Sequence, residues 1–158
     1  MMVFVPSSHH DARALRSGRD LAAALGCAAT DSLIAALGPG ISTEEAEFAA
    51  LSNAGVLAIR HTTESQRLVL AAEVAGDQVT DHRTELGEIG VARLTWSQVR
   101  SLFADEPAAG EAVTRARLAT GERGLAEALA TPAVSELLDA YDLLWFATAE
   151  LDSLQVAD

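Results

Sequence analysis

The run Arg67 to Val74, RLVLAAEV, constrains the fold of this chain more than any other stretch. It is dense in branched apolar residues and too short for a core helix, so it reads as a central strand. A central strand commits the chain to a sheet, and the remaining elements must supply its neighbours. Met2 to Val5 is a short apolar run ended by Pro6 and reads as the first strand. Ile89 to Trp96 alternates in polarity with the period of a half-buried strand. Leu143 to Leu151, LLWFATAEL, is expected to be the final strand, with Trp145 and Phe146 on opposite sides.

The helices carry clearer punctuation. Ser42-x-x-Glu45 is a capping box, and Glu44, Glu45 and Glu47 sit where a helix dipole favours negative charge. Phe48, Leu51, Gly55, Ala58, Ile59 and Thr62 then form a helical stripe expected to face the core. Ser8-x-x-Asp11 opens an earlier helix, interrupted at Gly18, and Gly26 to Thr30 reads as a short extended piece. Asp31 is placed to cap a brief helix through Leu37, and Gly38-Pro39-Gly40 ends it. Thr95-x-x-Gln98 is expected to cap a helix carrying Val99, Leu102 and Phe103 inward. Ala108 to Ala130 is helical in propensity, with Gly121 and Gly124 as weak points, and Thr131-Pro132 starts another helix. Gly76 to Gly87 is polar and reads as a loop.

Reduced to its long elements, the order is strand, helices, strand, strand, helices, strand. That is the βαββαβ order of a ferredoxin-like α+β domain: a mainly antiparallel four-stranded sheet with extra helices. No repeat or linker interrupts residues 1–158, so one domain is expected.

Composition limits the chemistry. All 11 basic residues are arginine, against 23 acidic residues, for a net charge of −12. Without lysine there is no Schiff-base chemistry, no P-loop lysine and no tunable amine base. Arginine in place of lysine, together with abundant alanine, is what GC-rich coding writes. The acidity disfavours nucleic acid and anionic membrane surfaces, and favours a protein partner with a basic surface. The start of the chain lacks the pattern of a signal peptide, and no run approaches the ~18 apolar residues of a membrane span. A cytoplasmic location is the expectation. Cys27 is the one cysteine, which excludes an internal disulfide; set among Gly26, Ala28 and Ala29, it reads as a small buried residue.

Candidate site residues are few. His9-His10-Asp11 follows the first strand, where loops commonly carry sites. Neighbouring helical residues point about 100° apart, so two adjacent histidines rarely share a metal. A third ligand would come from His61, His82, Asp81 or Glu85, and no HExxH or HxH spacing occurs. No metal or cofactor is therefore assigned. Asp81 and His82, with Glu85, could form a carboxylate-oriented general base. Helix capping already accounts for Glu44, Glu45 and Glu47, while Arg115, Arg117 and Arg123, set among glutamates, read as a solvated helix face. Trp96, Tyr141, Trp145 and Phe146 hold most of the aromatic surface; core packing is their ordinary use and an interface the sharper one.

Four segments carry a resemblance: MVFVPSS, EEAEFAALSNAG, RLVLAAEVAGDQVT and DLLWFATAEL. Together they resemble a family of small acidic proteins from high-GC Gram-positive bacteria known only as a domain of unknown function. The resemblance spans nearly the whole chain; Asp105 to Val134 matches in composition alone. It implies a single-domain cytoplasmic protein and assigns no activity, cofactor or catalytic residue. Two readings follow. The first is a non-catalytic interaction or regulatory module, self-associating through its sheet. The second is a small metabolite- or metal-binding domain, or a hydrolase-like enzyme, using His9, His10 and His82.

Overall fold

The structure is a computed structural model that describes residues 1–154. Its strands and α-helices run β1 (Met2–Ser7), α1 (His9–Arg16), β2 (Leu21–Ala28), α2 (Asp31–Leu37), α3 (Thr43–His61), β3 (Leu68–Glu73), β4 (Val79–Asp81), β5 (Glu88–Leu94), β6 (Val99–Ala104), α4 (Gly110–Thr120), α5 (Leu125–Leu129), α6 (Pro132–Ala140) and β7 (Leu144–Phe146). A 3-10 turn, Thr148–Ser153, follows β7. The strands form one seven-stranded sheet in the order β4-β5-β2-β1-β3-β6-β7, every neighbouring pair antiparallel.

The first strand occupies the middle of this sheet. β1 pairs with β3 along its whole length, from Met2 opposite Glu73 to Ser7 opposite Leu68. Its ladder to β2 covers only Val3 with Ala28 and Phe4 with Cys27, and stops before Pro6, which has no N–H to contribute. Gly26 permits the close approach there: a Cβ at that position would lie 2.4 Å from the Phe4 carbonyl oxygen.

Both faces of the sheet are apolar and both are covered. On one, Phe4, Cys27, Val69 and Ala71 meet α3 through Ala50, Ala54, Ala58 and Ile59, with α4, α5 and α6 completing the layer. Ala46, Ala50, Ala54 and Ala58 recur every fourth residue and are wholly buried, so the helix packs on the sheet through its smallest side chains. On the other face Val3, Val5, Leu68, Leu70, Ile89 and Val91 are closed over by Ala12 and Leu15 of α1 and by Leu151 and Leu154. Each fully buried Leu, Ile or Val contributes about 1.5–3 kcal/mol relative to exposure. Across this lid Arg16 donates from both terminal nitrogens to Asp152 at 3.0 Å.

The ferredoxin-like expectation is corrected: the fold is α+β, with seven strands rather than four. Three elements account for the difference. Leu21–Ala28 is a strand, although its burial does not alternate cleanly. Val79–Asp81 adds an edge strand inside the segment read as a loop. Half of the Thr95–Gln98 capping box forms, the Thr95 N–H donating to Gln98 Oε1 at 2.9 Å, but it closes a single 3-10 turn and the chain then extends into β6. Val99 to Ala104 instead finds strand partners on both sides, Leu102 opposite Leu70 of β3 and Phe146 of β7. The last strand is likewise shorter than expected, ending at Phe146. The capped helix α3 and the helix at Pro132 stand as read, and the Ala108–Ala130 helix breaks between α4 and α5, at Gly121 and Gly124.

Candidate functional site

His9 opens α1, whose first turn is capped by the Ser8 hydroxyl accepting from the Asp11 N–H at 3.0 Å. The imidazole is buried, with Nδ1 2.7 Å from Glu64 Oε2; the same carboxylate oxygen accepts from the His9 backbone N–H at 3.3 Å. Facing a carboxylate oxygen, Nδ1 is the ring nitrogen that donates in this contact. Among the described residues Nε2 is buried without a hydrogen-bond partner. Arg117 moors the loop bearing Glu64 by donating to the carbonyls of Ile59 (2.7 Å) and Glu64. Partial burial holds its guanidinium below the usual arginine range. Arg117 therefore points inward, away from the solvated face it was read to share with Arg115 and Arg123.

The other histidines lie apart from this pair. His10 is exposed, and His61 sits at the end of α3 with Nε2 3.4 Å from Asp11 Oδ2. His82 follows β4, its N–H donating to Glu88 O at 3.1 Å and its ring lying over Gly90. Asp81 turns the chain there by accepting from the Arg83 N–H at 2.7 Å, with Arg83 in the left-handed region at φ 58°. β5 and β2 lie between the strand leading to Asp81 and His82 and the strand leading to His9 and His10. The fold thus brings His9 to Glu64 and His61 to Asp11. Among the described residues, no three His, Cys, Asp or Glu side chains gather as a metal-holding group. Cys27 is buried; desolvation first, and the Glu88 charge second, push its thiol up to about 12.

A buried ion pair lies beneath the helical layer. Arg67 donates from Nε to Asp105 Oδ2 at 2.8 Å and from Nη2 to Oδ1 at 2.6 Å, and its backbone N–H reaches Oδ2 at 2.9 Å. Nη2 also donates to the Tyr141 carbonyl at 3.1 Å, which ties the end of α6 to the start of β3. Both charged side chains are excluded from solvent, at 1% and 0% exposure.

The aromatic residues divide sharply. Trp96 and Phe146 pack against the core on the α1 side, and Tyr141 against the core under α3. Trp145 is 61% exposed on β7, and Phe48, expected in the core stripe of α3, is 60% exposed. Phe48, Ser52 and Leu138 line two adjoining hollows. One is small, about 30 Å³, and reaches Arg67, Tyr141 and Asp142. The other is a groove of about 470 Å³ bounded by Leu37, Leu86, Leu129 and Glu85.

A seven-stranded antiparallel sheet closed by helices on one face, and by α1 with the last turn on the other, defines an α+β protein. None of its helices, among the described residues, is long and apolar enough to cross a membrane. The chain belongs to the family of unknown function DUF6912, whose profile matches residues 1–155. No curated protein and no solved structure matches it.

Sequence reasoning missed Glu64, the Arg67–Asp105 pair and the outward direction of Phe48. Only the last had a signal: alanines four residues apart on α3 mark the face that meets the sheet.

Proposed function

We propose that this protein is a non-catalytic interaction module that pairs with a second copy of itself along the β7 edge of its sheet. The observation that carries this is Trp145, 61% exposed on the outermost strand, with Leu144 beside it at 43%. Among the described residues β7 has a strand neighbour on one side only, β6. Its three residues, Leu144, Trp145 and Phe146, carry no charge to discourage pairing, whereas β4 at the opposite edge ends in Asp81. An antiparallel pairing of two β7 strands is self-complementary, as a two-fold dimer requires, and it would bury tryptophan, a residue enriched at binding hot spots.

Sedimentation of the wild-type chain should show a concentration-dependent dimer, and Trp145→Ser should be monomeric with an unchanged circular dichroism spectrum. A wild-type chain that stays strictly monomeric, or a Trp145→Ser chain that still dimerises, would overturn the proposal.

A further inference from the structure

We infer that the Phe48 groove is a docking site for a basic amphipathic helix of a partner protein. The inference rests on reading the chain as an interaction module, but it uses a different surface from β7.

The groove has the form that a helix fits. Phe48 of α3, Leu37 of α2 and Leu138 of α6 line the same hollow, and Leu37 is itself 40% exposed. Leu86 and Leu129 complete an apolar lining. Helices that dock in such grooves insert side chains spaced three, four and seven residues apart. The larger hollow, about 470 Å³, has room for such anchors, and the small one adjoins it across the Phe48 wall.

The rim sets the charge of the occupant. Glu85 borders the larger hollow and Asp142 the smaller. Glu44 lies one turn before Phe48 on α3 and so shares its side of the helix. Among the described residues lining these hollows the one cation is Arg67, and its guanidinium is already satisfied by Asp105. An apolar floor inside an anionic rim selects a segment with leucine-like anchors on one face and arginine or lysine on the flanks. An acidic helix of the same shape is repelled.

The test uses two synthetic amphipathic peptides of about 18 residues, one of leucine and lysine and one of leucine and glutamate. Their binding to the full chain is followed by calorimetry. The leucine–lysine peptide should bind and the leucine–glutamate peptide should not. Phe48→Asp should weaken binding by at least about tenfold, because it places a charge at the centre of the contact. Neutralising the rim with Glu44→Gln, Glu85→Gln and Asp142→Asn should weaken binding and flatten its salt dependence. Neutralising Glu111, Glu122 and Glu127 to glutamine, on the α4–α5 segment, should leave it intact. Failure of the leucine–lysine peptide to bind, binding unchanged in Phe48→Asp, or equal loss in the α4–α5 control would overturn the inference. Sedimentation of Phe48→Asp in parallel separates the two proposals. A chain that still dimerises through Trp145 but ignores the peptide keeps the interaction module and loses this site. If dimerisation is what Phe48→Asp abolishes, the groove holds a second copy and the inference fails.

Discussion

Arg67 and Asp105 are each buried beyond the reach of solvent, so each depends on the other for the hydrogen bonds that water would otherwise supply. Removing one partner strands a charge in the core, which costs far more than the pair contributes when intact. Asp105→Leu should therefore destabilise the chain by about 3–5 kcal/mol in urea denaturation. The double variant Arg67→Met, Asp105→Leu should recover a large part of that loss. If the double variant is as unstable as the sum of the single ones, the two side chains act independently and the pairing argument fails. Nothing in the order of residues announces this pair: Arg67 stands at the head of an apolar run and Asp105 lies in a different segment, brought close only when β3 and β6 align. The same holds for His9 and Glu64, whose meeting depends on where α3 ends and on the Arg117 clamp that fixes the following loop.

At the scale of elements, β2 carries a local cost. Ala23 has φ 52°, in the left-handed region that non-glycine residues avoid, while Ala22 and Ala24 on either side pair with Arg93 and Val91 of β5. That conformation costs roughly 1 kcal/mol for an L-residue, and glycine relieves it while adding some freedom to the unfolded chain. Ala23→Gly should raise stability by roughly 0.5 kcal/mol in chemical denaturation; a clear loss would show that the Ala23 methyl has a packing role. The same irregularity explains why β2 was hard to see from the sequence. Capped helices and the apolar run of β3 were legible because each element carries its own signal: a capping box at Ser42, a proline after Thr131, a dense branched stretch after Arg67. Strands β2 and β6 were not, since they are held by neighbours distant in sequence, and β4, though it pairs with the adjoining β5, is only three residues long. Of the candidate site, the exposed tryptophan was legible as a residue to watch. The outward direction of Phe48 was legible only through Ala46, Ala50, Ala54 and Ala58, and the groove it borders was not, because α2, α5 and α6 supply its other walls.

For the whole molecule, the second face of the sheet depends on a lid made from opposite ends of the chain, α1 and the Thr148–Ser153 turn, bridged by Arg16 on Asp152. The hydrogen bond from Arg16 is the main cause holding the Asp152 carboxyl below its ordinary value. A carboxyl whose pKa is lower folded than unfolded stabilises the fold above its unfolded pKa, and that contribution disappears as pH falls through the folded value. Asp152→Asn should therefore melt below the wild type near neutral pH, and the two melting curves should converge on acidification below the carboxylate range. Parallel curves across the whole pH range would show that the lid does not rely on this charge. The central place of β1 has a consequence for synthesis. A nascent chain releases the middle of its sheet first; β2 can meet Val3 and Phe4 early, but the ladder along the whole of β1 must wait until Leu68–Glu73 emerges. Growth then proceeds outward, so an interrupted translation product would expose the strand that the finished protein hides best.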